Sequence, residues 1–258
     1  FFFCRMRVAL LVLILAIVGA VVSQENEAKT IIDNFTVDTP TLIIQIPAGG
    51  VTDSQSNLTD EEFVSGTGIL GGERDVQLVV ESGAGNQVLT TLVSARLFTS
   101  ATPNQARGYS LLTLDGPDAS SSINYNGLNA DLTFGEAFAI RTHIKSDQPT
   151  TVTFNFYSGS SNNRCSFQQS IPGDTTTHEY ILDFSRFTNG CTWTNIGAIE
   201  VRVEMNDNVD VDISEIHTWG PVDTCQCFCP RFTCRIEYDN DDASFTYFKT
   251  SDFNPRTT

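Results

Sequence analysis

The chain has 258 residues, 31 of them acidic and 15 basic, for a formal charge of −16 that would repel nucleic acid and anionic lipid. Nucleic acid is therefore excluded as a partner. Setting aside the apolar leader described next leaves about 235 residues, enough for one all-β domain with its own core and an extension.

Met6-Arg7 opens the run VALLVLILAIVGAVV, which is apolar throughout and closes on the small residues of VVSQ. At about 15 to 17 residues it falls short of the roughly 20 that a bilayer span needs. Residues 6–23 are thus expected to be a secretory signal peptide cleaved after Ser23 or Ala20, with residues 1–5 an upstream translation. The mature chain is expected to be secreted or at the cell surface, with no membrane insertion. Residues 24–30 are polar and expected to be a disordered linker.

Ile31 to Val37 reads as a first strand. Residues 38–66 hold Pro40, Pro47, Gly49 and Gly50 and read as a long loop with one short strand at Leu42-Ile43-Ile44. The pair Gly71-Gly72 marks a bulge or a close approach before a firm strand over Val76 to Val80. Further strands are expected at about 87–99, 108–115, 136–145, 150–158, 164–170 and 177–184. Ile199, Val201, Val203 and Met205 then alternate with Glu200, Arg202, Glu204 and Asn206, and after a polar turn Val211, Ile213 and Ile216 repeat the pattern. Such a period of two buries one face of a sheet and wets the other. Nine or ten short strands with no helical stripe between 31 and 220 predict an all-β, two-sheet antiparallel β-sandwich or jelly roll over residues 31–221. Residues 222–258 begin with CQCFCPRFTC and read as a Cys-rich, acidic, partly disordered tail.

Six cysteines follow the leader: Cys165, Cys191, Cys225, Cys227, Cys229 and Cys234. An even number behind an export signal predicts disulfides, with Cys165 bridged to Cys191 across 26 positions. The tail cysteines lack the C-x-x-C spacing of a zinc site. Asn34-Phe35-Thr36 and Asn57-Leu58-Thr59 are sequons for N-glycosylation at Asn34 and Asn57.

The order Ile31-Ile32-Asp33-Asn34-Phe35, Gly71-Gly72-Glu73-Arg74-Asp75, Leu114-Asp115-Gly116, Ala130-Asp131-Leu132-Thr133, Phe184-Ser185-Arg186-Phe187 and Trp193 to Ile199 resembles secreted jelly-roll proteins common among bacterial surface proteins. Residues 31–220 are also similar to galactose-binding-like domains. The chain departs from the pattern in having Asn34 in place of a second Asp, and a Cys-rich tail where sorted surface proteins carry a membrane helix. The resemblance implies one structural calcium held between the first strand region and the last. Asp33, Glu73, Asp75 and Asp212 occupy the matching stretches, and hard cations of this kind need several oxygens from separate segments.

A sugar needs an aromatic face beside hydrogen-bonding side chains. Trp193 is the first candidate, followed by Tyr109, Tyr125 and Tyr157, and the Ser-, Asn- and Gly-rich segment 116–130 is a candidate loop. His143, His178 and His217 lack the spacing of a metal triad, and neither G-x-S-x-G nor H-E-x-x-H occurs, so no catalytic residue is assigned. The expected function is a non-catalytic extracellular binding module for a glycan or matrix protein in a matrix or adhesive assembly. The alternative is a structural ectodomain with no small ligand, and glycan hydrolysis ranks third.

Overall fold

The computed structural model describes residues 25–51, 58–188 and 190–222. Thirteen strands follow in chain order: β1 (Asn26–Asp33), β2 (Leu42–Gln45), β3 (Leu58–Ser65), β4 (Glu73–Gly83), β5 (Val88–Ser94), β6 (Leu97–Ala101), β7 (Ala106–Leu114), β8 (Ala139–Ser146), β9 (Thr150–Tyr157), β10 (Arg164–Ile171), β11 (His178–Asp183), β12 (Ala198–Met205) and β13 (Asp210–Pro221). They form an all-β sandwich of two antiparallel sheets. One has the order β11-β8-β13-β6-β5-β2 with β1 also paired to β13, and the other the order β10-β9-β12-β7-β4-β3. The compact unit ends at Pro221. No helix among the described residues is long and apolar enough to cross a membrane.

The two-residue period of the sequence decides which side chains meet between the sheets. Val76, Leu78 and Val80 of β4, Leu112 and Leu114 of β7, Phe154 and Phe156 of β9, and Ile199, Val201, Val203 and Met205 of β12 are buried. They share one core with Leu89 and Val93 of β5, Phe98 of β6, Ile140 and Ile144 of β8, and Val211 and Ile213 of β13. The largest fully buried side chain is a charged one, Arg74. Its Nη1 donates to Asp33 Oδ1 and Oδ2 at 3.0 and 2.8 Å, and its Nη2 donates to the Val37 carbonyl, so one guanidinium ties β4 to the end of β1 in the other sheet.

Four expectations change. Residues 26–30 are not a disordered linker but the first half of β1, paired from Asn26↔Pro221 to Ala28↔Trp219. β13 leaves β6 after Ile213 and bulges at Glu215, which opens its edge to β1, so polar residues gain a ladder that their own pattern does not announce. The segment 38–66 holds a second strand, β3, an edge strand whose Asp60, Glu61 and Glu62 hide the alternation while discouraging pairing with other chains. The expected strand at 87–99 is a hairpin, β5 and β6, turning at Ala95-Arg96 with φ of 53° and 67°. That two-residue turn needs positive φ at both positions, which Asn-Gly would have advertised and Ala-Arg does not. The count is accordingly thirteen strands rather than nine or ten.

Cys165 of β10 is bonded to Cys191, with Cα atoms 5.1 Å apart, which fixes the chain at Cys191 to the edge of the six-stranded sheet. Cys225, Cys227, Cys229 and Cys234, the signal segment, and Asn57 lie outside the described residues.

Candidate functional site

The outer face of the six-stranded sheet carries the polar half of the alternation. Cross-strand register sets Asn155, Glu200, Thr113 and Asp75 side by side on β9, β12, β7 and β4, and in the next row Thr153, Arg202, Leu111 and Gln77. One row further, Glu204 pairs with Tyr109. Neighbours this close fix one another. Asn155 Nδ2 donates to Glu200 Oε1 at 2.7 Å. Arg202 Nε donates to Glu204 Oε1 at 2.6 Å, and its guanidinium stands 3.5 Å over the Tyr109 ring centroid.

At the far end of this face the segment 116–130 lies across the sheet. Tyr125 meets Tyr157 at 5.1 Å between ring centroids, edge to face. The approach depends on absent side chains: a Cβ on Gly197 would sit 1.7 Å from the Tyr125 carbonyl oxygen. The close approach expected at Gly71-Gly72 belongs to the same segment, since a Cβ on Gly71 would lie 2.3 Å from Leu128 Cδ2. Backbone bonds from Leu128 N to Gly197 O at 2.9 Å and from Gly159 N to Tyr125 O at 3.0 Å hold the segment down.

Beneath it lies a group of acids. Glu73 Oε1 accepts from the Asp118 and Ala119 amides at 2.9 and 2.8 Å, and the Ala119 amide above all holds its carboxyl below the usual range. Asp115 Oδ2 accepts from Asn124 N at 2.5 Å. Asp75 is 5% exposed, and neither of its oxygens receives a hydrogen bond from an amide, hydroxyl or cation; the one group placed to share a proton with it is the Asp115 carboxyl. Burial, and then the charges of Asp115, Glu73 and Asp118, push its pKa up to about 8. Burial likewise raises Asp115, against the pull of the Asn124 amide.

The three candidate tyrosines, Tyr109, Tyr125 and Tyr157, thus belong to one face, Tyr109 in the Glu204 row and Tyr157 in the Ala198 row at the opposite end, where it is 6% exposed beside Tyr125. Trp193 does not join them. Its ring packs on the inward-facing Phe156 at 4.9 Å, stacks on Phe184 at 4.1 Å and meets Phe187 at 5.2 Å, so the indole serves the core behind the Cys165–Cys191 bridge. Of the four expected calcium ligands only Glu73 and Asp75 lie together. Asp33 is committed to Arg74 inside the sandwich. Asp212 is on the outer face of the other sheet, where Thr99 Oγ1 donates to it at 2.8 Å and Lys145 Nζ lies at 3.6 Å. Asn34 is half-buried, and its Oδ1 accepts from Thr36 N and Oγ1 at 3.1 and 2.7 Å. Asp115, Asp118, Asn155, Glu200 and Arg202 also belong to this face, and no motif in the sequence marks them as site residues. For Glu200 and Arg202 the alternation along β12 already marked them as outward-facing.

No protein-family model matches the chain, and no curated protein does. Among solved structures it is similar to the family 11 carbohydrate-binding module from Clostridium thermocellum in complex with a β-1,3-1,4-mixed-linked tetrasaccharide, at 14% identity and a TM-score of 0.37 over 74% of this chain and 95% of that one. It is also similar to the family 30 carbohydrate-binding module of cellulosomal cellulase Cel9D-Cel44B of Clostridium thermocellum, at 15% identity and a TM-score of 0.35 over 70% and 99%. A family 29 carbohydrate-binding module is similar at 10% identity and a TM-score of 0.31 over 70% and 90%. What this chain's face can bind depends on its own side chains.

Proposed function

We propose that the chain is a non-catalytic extracellular module that binds a glycan on the outer face of the six-stranded sheet. The observation that carries the reading is an outer face that holds Tyr109 beside Arg202 and Glu204 at one end and Tyr125 at the other, with Glu200 and Gln77 between them. Carboxylate, amide and guanidinium groups match sugar hydroxyls as paired donors and acceptors, and rings match the apolar face of a pyranose. Asn155 is already bonded to Glu200, and Arg202 to Glu204, so little order is lost when a ligand arrives. The Cys165–Cys191 bridge supports an oxidising compartment, outside the cell or at its surface. Matrix or adhesive assembly is the setting we assign to it.

The test is a glycan array followed by affinity electrophoresis in soluble polysaccharides. Retention by at least one glycan is expected, weakened about tenfold or more by Tyr109→Ala or Arg202→Ala, as for truncation of a residue central to an interface. No reducing sugar should be released from the bound glycan. Absence of any retained glycan, or retention unchanged in both variants, would overturn the reading.

A further inference from the structure

We propose that Asp75, Asp115 and Asp118 bind a divalent cation of the hard, oxygen-seeking class, calcium, where the 116–130 segment crosses the sheet. A carboxylate oxygen from each lies within 4.8 Å of one from each of the others. Two oxygens each about 2.4 Å from one calcium ion are at most about 4.8 Å apart, a limit that all three pairs meet. His and Cys are absent from the group, which sets zinc and copper aside.

Proximity of acids alone would not make a site. Asp75 supplies the second observation. It is 5% exposed and directed at the other two acids, and its oxygens meet no donor from the rest of the protein, only the neighbouring Asp115 carboxyl. Buried carboxylate oxygens ordinarily find donors or a metal ion. The charges acting on Asp75 are those of Asp115, Glu73 and Asp118, all acidic. Elsewhere on this face the carboxylates are matched, Glu200 by Asn155 and Glu204 by Arg202.

The surrounding contacts place the third ligand. Glu73 accepts from the amides of Asp118 and Ala119, fixing the start of the segment. Asp118 Oδ1 also accepts from Ser120 N at 3.0 Å, and the residue is exposed, so water can complete the coordination shell from that side. The site differs from the one implied by the family resemblance: it keeps Asp75, replaces Asp33 and Asp212 with Asp115 and Asp118, and leaves Glu73 as the residue that positions the loop.

The site is independent of the glycan reading, and calcium alone tests it. The intact protein, stripped with EDTA, is titrated with calcium chloride by calorimetry and melted with and without the ion. Saturable binding and a melting midpoint raised by several degrees are expected, with affinity in the range of extracellular calcium modules, about 0.1 to 1 mM. Asp118→Asn is the decisive variant, because the residue is exposed and its bond from Ser120 survives the change. It should weaken calcium roughly tenfold or more while leaving the calcium-free melt unchanged. No heat and no shift up to about 10 mM calcium, or the same response in Asp118→Asn as in the parent, would overturn the proposal. Glycan retention by the calcium-free protein would be unaffected by either outcome.

Discussion

The two sides of β4 hold a buried carboxylate in opposite ways. On the inner side Asp33 is fully buried and receives two hydrogen bonds from Arg74 and one from the Phe35 amide at 2.8 Å. Burial raises its pKa, and Arg74 and the amide work in the other direction. On the outer side Asp75, the next residue along the strand, is nearly as buried and is surrounded by acids. Successive side chains on a strand point to opposite faces, so the one-residue step from Arg74 to Asp75 separates a carboxylate matched by a cation from a carboxyl that faces only acids. A carboxylate in a closed core needs its partner covalently present. One at the edge of a face can take its partner from solution.

The sharpest way to break the contrast is on the inner side. Arg74→Ala leaves Asp33 buried without its counter-charge, and such a loss costs about 3 to 5 kcal/mol. Urea unfolding should show it as a large drop in midpoint. Arg74→Lys should recover little, because a single ammonium cannot bond both Asp33 oxygens and the Val37 carbonyl in the geometry of the guanidinium fork. The next largest effect concerns the covalent clamp at the edge of the same sheet. Cys191→Ser opens a loop spanning 26 positions and should cost about 3 kcal/mol by freeing the unfolded chain. Dithiothreitol should then lower the melting midpoint of the parent but not of the variant.

On the outer side the sign reverses. With its pKa pushed up to about 8, Asp75 holds its proton at neutral pH in EDTA, so the neutral isostere Asp75→Asn should leave the protein as stable or more stable, by about 1 kcal/mol. A loss of several kcal/mol on this side as well would erase the distinction between the two faces.

Legibility in the sequence follows the same division. Alternation is a local signal, and it located β12 and β13 because Ile199 to Met205 obey it without exception. It missed β1 before Ile31, where pairing depends on a bulge in β13 nearly 190 positions away. It missed the β5–β6 turn, because Ala95-Arg96 adopt left-handed backbone without the residues that normally signal it. At the site, three of the four aromatic candidates lie on one face, Tyr109 at one end and Tyr125 and Tyr157 at the other. Trp193 failed because its surroundings are tertiary: nothing near it in sequence says that Phe156 will lie beneath it. The acids show the limit most clearly. Asp33 and Asp75 are equally good ligands by type, and only the partner across the core, Arg74, tells them apart.

The smallest effect comes from a third buried group, His217 on β13, which is 4% exposed and whose Nε2 has no hydrogen-bond partner. Burial lowers its pKa. Arg141 and His143 act in the same direction, while Glu215 and Glu179 oppose them. Above the ordinary histidine value of about 6.5 the ring is neutral in both folded and unfolded chains, and stability is insensitive to it. Below that pH the unfolded chain takes up a proton that the folded chain refuses, so stability falls until the lowered folded value is reached. Each pH unit crossed in that window removes at most about 1.4 kcal/mol. Urea midpoints at about pH 7.5 and 5.5 should therefore differ more for the parent than for His217→Gln, whose side chain does not titrate. Equal differences would mean that the acid sensitivity lies elsewhere. The ring would then be a buried group left unpartnered with no titrational cost, and the contrast drawn at β4 would not extend to the second sheet.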